Sequence, residues 1–265
     1  MALHHLQPNP AYGTGRYRRR IEFVARPSRV LAMLDDTHHA MWLVLEHDGH
    51  MVTGVSGAFT RQPATPCGGA VDGLRALVGM PLDAAVNDLR RHLPFAENCT
   101  HLADLSVSAM RPVHRRTGST CYDIVIPDAG NTPRWIEIAR NARPVHRWAV
   151  SGTTIVAPEP LAGRPLLGKF TRWARETFSG DDLDAAMMLQ RGVFVARALP
   201  YHVDPSPPIP LRDYGGIEGA CFSYSGANWR TATGAQDFVR DFTNGVTPQK
   251  LPAHVADAFE LEPKI

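Results

Sequence analysis

The chemistry open to this chain rests on a few thiols and imidazoles. Cys67, Cys99 and His101, with the pair His38-His39, stand where one element is expected to end and the next to begin. Thiolate and imidazole suit zinc in a tetrahedral set, so Cys67, Cys99, His101 and His39 form one candidate metal group. The C-x-H spacing at 99–101 opens a predicted helix and lets both side chains face one point, and a helix N-terminus lowers a thiol pKa. The same residues also allow a bland reading, in which buried thiols act as small hydrophobes and His101 caps a helix. Without a metal, His39 or His101 is the candidate general base. On an extended chain His38 and His39 point to opposite faces, so at most one joins the group; His39 shares its face with Met41, Leu43 and Leu45.

A second acid/base cluster is offered by Tyr201, His202 and Asp204, a phenol, an imidazole and a carboxyl on one loop; a structural turn is the competing account. Asp72 and Asp104 each follow a cysteine by five residues and could orient a histidine. His47 and His50 flank a turn and read as solvated. Cys221 and Tyr224 read as core, and the basic run 16–20 as a solvated strand start. Trp42 and Trp135 are the candidate walls of an aromatic site, with Tyr201 beside them. The chain holds no G-x-G-x-x-G after a strand, no P-loop, no G-x-S-x-G and no H-E-x-x-H. Nucleotide, flavin and serine-hydrolase chemistry are therefore not expected.

These residues have to be positioned by short elements. Strands are predicted at 21–24, 30–34, 40–46 and 51–59, the last two joined by the hairpin signal Asp48-Gly49. Helices are predicted at 68–78, 82–93 and 100–110, with Asn98 as N-cap of the third. Three strands follow at 121–126, 135–139 and 145–150, then a loop at 157–165, helices at 169–178 and 182–199, a last strand at 219–225 and a short helix in the tail. Residues 1–17 read as a flexible arm. The remainder, 18–265, reads as one α+β domain with an antiparallel sheet and helices packed on one face. It divides at most into a motif-bearing half, 18–111, and a second half, 112–265.

The chain has 265 residues, 28 Lys and Arg against 26 Asp and Glu, and 44% hydrophobic residues. That supports a sizeable core, and the near-neutral charge gives no field for nucleic acid or membrane. No apolar run is long enough for a membrane span. Four widely spaced cysteines favour reduced thiols, hence a cytoplasmic protein. A small-molecule partner is expected, and a homo-oligomer is allowed.

Three runs carry a family resemblance: His39-Ala40-Met41-Trp42-Leu43, Pro63-Ala64-Thr65-Pro66-Cys67 and Asn98-Cys99-Thr100-His101-Leu102. Together they resemble the bacterial domain of unknown function 2889 family, which shows an H-D-M-W run, a P-Y-x-x-C run and G-C-T-H-L in this order. Ala40, Ala64 and Asn98 depart from that pattern, and the missing acid at Ala40 removes one group that would orient His39. The order of parts also resembles the NifU-type iron–sulfur scaffold proteins. That resemblance implies a NifU-like arrangement in the N-terminal half, with His39 (or Asp36), Cys67, Cys99 and His101 around one metal. A first ligand that is not cysteine points to zinc or a metal-free site rather than cluster assembly. Members of the first family are associated with bacterial catabolism, including that of aromatic compounds. The resulting expectation is a lyase, cofactor-independent or zinc-dependent, that breaks a C–C or C–O bond in a small, lignin-type aromatic. Formaldehyde release is one example. The alternatives are a non-enzymatic metal-binding scaffold and a ligand-binding protein with structural Cys and His.

Overall fold

Alternation in the basic run and beyond builds the first strand. In β1 (Arg16–Arg26) Tyr17, Arg19, Ile21, Phe23 and Ala25 are buried, while Arg18, Arg20 and Glu22 are half-exposed on the opposite side. The computed structural model describes residues 6–84, 86–130, 133–215, 218–246 and 249–261. β1 pairs with β2 (Arg29–Asp36), β2 with β3 (Ala40–His47), and β3 with β4 (Val52–Arg61), each pair antiparallel. After α1 (Val86–His92) and α2 (Thr100–Ala109), β5 (Gly118–Pro127) returns to the other side of β1. β6 (Arg134–Arg140), β7 (Arg143–Ser151) and β8 (Thr154–Ala157) extend the sheet from there. The result is one eight-stranded antiparallel sheet in the order β4-β3-β2-β1-β5-β6-β7-β8. It is followed by α3 (Phe170–Thr177), α4 (Gly180–Ala196), α5 (Gly226–Thr231) and α6 (Ala253–Ala258). The α+β class read from the sequence is the class observed.

The main core lies on one face. Ile21, Phe23, Leu34, Met41, Leu43, Tyr122 and Ile124 of the strands pack against Leu102 and Leu105 of α2, Phe170 and Trp173 of α3, and Leu189 and Val193 of α4. Each such side chain contributes about 1.5–3 kcal/mol by leaving water. Close approach here needs a small residue: a Cβ at Gly192 of α4 would lie 3.1 Å from the Ile124 side chain. The short α6 is on the opposite face, where Val255 and Phe259 cover Leu31, Met33, Trp42 and Val44. Arg29 fastens it by donating to the Ala258 carbonyl at 2.5 Å, and Arg26 donates to the Phe259 carbonyl. Cover on both faces explains why β3 reads as an unbroken apolar run rather than an alternating one.

Several expectations are corrected. The segment 219–225 is not a strand; it forms a 3-10 turn, Phe222–Tyr224, whose Phe222 N–H donates to the Asn98 carbonyl at 3.0 Å. The helix expected at 68–78 is a run of 3-10 turns, Cys67–Leu77, in a stretch weakened by three glycines. β8 was not foreseen because its four residues fall beside a Pro- and Gly-rich stretch. The 82–93 helix shortens to α1, and Ala85 lies outside the described residues. The expected arm, 1–17, runs into β1, and residues 1–5 lie outside the described residues. Beyond them Leu6 is buried, Asn9 N–H donates to the Pro200 carbonyl and His202 N–H to the Gln7 carbonyl, both at 2.8 Å. This part of the arm is therefore docked on the segment after α4. Among the described residues no helix is long and apolar enough to cross a membrane.

Candidate functional site

The turn between β2 and β3 builds the site. Asp36 ends β2, and its Oδ1 accepts from the backbone N–H groups of His38 and His39 at 2.8 and 2.9 Å. An Asp side chain bonding the backbone two and three residues on is a local device that closes a turn. The same oxygen accepts from His39 Nδ1 at 3.1 Å. The other oxygen, Oδ2, accepts from Tyr17 Oη at 2.8 Å and from Arg19 Nε and Nη2 at 3.0 and 2.6 Å. Tyr17 and Arg19 reach it because alternation along β1 turns both toward the core. Asp36 is fully buried and Arg19 nearly so.

Six donors on one carboxylate decide its charge. Burial alone would raise the Asp36 pKa, but His39 and Arg19 outweigh it and hold the carboxyl well below its usual range. Since an ionised carboxylate only accepts, His39 must carry its proton on Nδ1. With that proton on Nδ1, Nε2 is the nitrogen left to act as acceptor whenever the ring is uncharged. The His39 ring lies against His101, with centroids 4.3 Å apart and planes at 37°. His101 stands in the first turn of α2, half-buried; burial, then the charges of His39 and Arg19, push its pKa well below the ordinary value, so it is neutral. Next to Asp36, Asp35 meets Arg61 Nη2 at 2.6 Å. Burial still raises Asp35 to about 7 against the pull of Arg61. Arg61 also donates to the carbonyls of Asp36, Thr37, His39 and Phe238, so both of its Nη groups are engaged.

The cysteines adjoin this network. Cys99, not Asn98, is the N-cap residue of α2, and its Sγ lies 3.9 Å from His101 Nδ1. Cys67 Sγ lies 3.1 Å from Ser223 Oγ. The lowered thiol pKa expected at an element's start does not occur: burial pushes Cys67 up to about 11 and Cys99 higher still. Desolvation outweighs the few free N–H groups there. Among the described residues no group of three His, Cys, Asp or Glu is placed to hold one metal ion. His39 has turned Nδ1 to Asp36 and Cys67 has turned to Ser223, so the proposed zinc ligands His39, Cys67, Cys99 and His101 do not close on a common centre.

The second predicted cluster lies on the other side of the turn. Tyr201, His202 and Asp204 line a cavity of about 260 Å³ that they share with His38. The two Trp residues are not brought to either place. Trp42 points to the opposite face of the sheet, under α6, and Trp135 is 45% exposed beneath the Arg147 guanidinium. Asp72 is exposed and pairs with Arg75. Asp104 pairs with Arg191 at 2.6 Å beside His101. Sequence reasoning missed Tyr17, Arg19 and Arg61, and gave Asp36 only as an alternative ligand. The available signal was parity: 17 and 19 share a face with Ile21 and Phe23.

Residues 23–114 match the model of a family described as a protein of unknown function, DUF2889. It holds His38, His39, Cys67, Cys99 and His101, while residues 201–204 lie beyond it. No curated protein matches the chain.

Proposed function

We propose that this chain is a lyase that uses acid/base chemistry, without a nucleotide or flavin, to break a C–C or C–O bond in a small aromatic catabolic compound. One observation carries the reading: the Asp36–His39 contact at 3.1 Å, in which a buried, ionised carboxylate fixes the tautomer and orientation of an imidazole. His39 is the base and His101, a neutral imidazole beside it, is the donor that stabilises developing negative charge. For a hydroxymethyl arene, His39 Nε2 takes the hydroxyl proton and the C–O bond becomes C=O. The C–C bond to the ring then breaks, its electron pair stays on the ring carbon, and the proton returns to that carbon. Formaldehyde and the shortened arene balance the substrate.

The test is formaldehyde release from a panel of hydroxymethyl phenols. His39→Gln keeps the size of the ring's polar edge but removes the base, and is expected to lower kcat by about 10²–10⁴-fold. A folded wild type that cleaves nothing on the panel, or a His39→Gln enzyme as fast as wild type, refutes the reading.

The 3.9 Å Cys99–His101 contact supports a second reading, a zinc-dependent lyase or a non-enzymatic zinc scaffold. Elemental analysis checks it: about one zinc per chain, lost in Cys99→Ser, is the expected result. Turnover on the panel then separates the enzyme from the scaffold.

A further inference from the structure

His38 is the residue that the proposed chemistry leaves unused. It is buried, and its backbone N–H is fixed on Asp36. Its ring packs against Phe238 with centroids 6.0 Å apart, yet neither ring nitrogen has a hydrogen-bond partner among the described residues. Those nitrogens are not fully enclosed, so they are open to a ligand that enters the cavity. His38 lines the cavity of about 260 Å³ described above, roughly the room of nine waters at about 30 Å³ each. The cavity lies just below the usual range of small-molecule sites, about 300–1,000 Å³. That is room for a single aromatic ring.

We infer that this cavity binds the aromatic ring of the substrate, and that the ligand is a neutral single ring carrying a hydroxyl group. This deepens, and rests on, the lyase reading. Leu199, Val203 and Val239 give the cavity its apolar sides, with His38 buried and His202 exposed among its polar residues. Burial holds His38 near a pKa of about 4, so its ring offers one donor and one acceptor. A hydroxyl group is also one donor and one acceptor, so the match is complete. A carboxylate is not matched: the Asp204 carboxyl shares the cavity, and the nearby Arg61 is already engaged by Asp35 and four backbone carbonyls. The His38 and His39 rings are 6.3 Å apart, and both backbone N–H groups hold the same Asp36 oxygen. A ring seated on His38 is therefore one residue from the proposed base. On this assignment Tyr201, His202 and Asp204 are binding residues rather than catalytic ones.

The experiment is an NMR titration of full-length protein carrying ¹⁵N-labelled histidine, with 4-hydroxybenzyl alcohol and benzoate as probes. Loss of a signal in His38→Phe assigns the His38 ring. The alcohol is expected to shift the His38 ring nitrogens and to bind at least about tenfold more tightly than benzoate. Val239→Trp, at a half-buried position on the cavity wall, fills the cavity and should weaken the alcohol at least about tenfold. Tyr201→Trp, on another wall, should do the same if the first variant fails to fold. His39→Gln should leave the dissociation constant within about twofold while removing cleavage. An unmoved His38 signal, tighter binding of benzoate, or undiminished binding in the filled variants overturns the assignment. Binding without cleavage in wild type supports the pocket and refutes the lyase. Cleavage undiminished in Val239→Trp refutes the pocket and leaves the lyase in place.

Discussion

Replacing Asp36 by Asn tests whether the carboxylate hub is a linked charge pair or a set of independent contacts. Asn presents one oxygen and one NH₂ group where the native side chain accepts six bonds. The NH₂ group must face donors, and Arg19, at 2% exposure, loses its counter-charge. Breaking one side of a buried pair costs about 3–5 kcal/mol, against a total folding stability of about 5–15 kcal/mol. With a urea slope of about 3 kcal/mol/M for a chain of this size, the midpoint should fall by about 1–1.7 M. Arg19→Met alone should cost a similar amount, because it strands the carboxylate. The two together should cost much less than their sum, with a coupling energy of about 2 kcal/mol or more in a double-mutant cycle. Costs that add within about 0.5 kcal/mol would show that Asp36 and Arg19 do not sustain one another.

Three other measurements bear on the same structure. His38 and His114 are each held near a pKa of about 4, and His101 is pushed well below its ordinary value, chiefly by burial, against an unfolded value near 6.5. Groups depressed in the fold contribute stability above the unfolded value and lose it as pH falls, on the order of 3 kcal/mol each for His38 and His114. Asp35, raised to about 7, runs the other way, losing its contribution as pH rises through 7. His47 and His146 are also depressed by burial, and Asp36 is depressed by its partners, while Asp184 joins Asp35 in being raised by burial. The depressed groups outnumber the raised ones, so the urea midpoint should be lower at pH 4.5 than at pH 7; an equal or higher midpoint contradicts this balance. Gly73→Ala should cost about 1–3 kcal/mol by denaturation, since the new Cβ would lie 2.4 Å from Asn98 Oδ1 and 2.7 Å from the Glu97 carbonyl. Trp42→Phe should change stability by less than about 1.5 kcal/mol, because Nε1 is buried without a partner among the described residues and the ring that remains is still aromatic and apolar. It should also leave ligand binding unchanged, and weakened binding would mean that Trp42 walls the site after all.

Much of the frame could be read from residue order because its causes are local. Asp48-Gly49 makes the β3–β4 hairpin as expected: the Asp48 carboxylate accepts from the N–H groups of His50 and Met51, and Gly49 takes a φ of +99°. The apolar periods of 100–110 and 182–199 gave α2 and α4. The nearness of His39 to Cys99 and His101 was inferred from the punctuation between elements, and the fold does bring His39 onto His101. What stayed hidden depends on partners far along the chain. Arg19 looked like one of several solvated arginines, and only pairing of β1 with β2 places it opposite Asp36. Trp42 follows Met41 in sequence but not in space, because adjacent strand residues face opposite ways and the second face is also covered. The short run 219–225 had the composition of a strand but pairs with neither edge strand, β4 or β8. Thiol acidity was misjudged because a helix start is visible in sequence and burial is not.

The order of the sheet also says where this chain cannot be divided. The family segment begins at residue 23, inside β1, whereas the strand starts at Arg16. A fragment cut at the family boundary would leave behind both Tyr17 and Arg19, a hydrogen-bond donor and the buried counter-charge of Asp36. It would also strip β5 from β1 and expose a sticky strand edge to other copies. The segment that the family model matches is thus smaller than the unit that folds: it takes the start of its first strand and its counter-charge from flanking sequence.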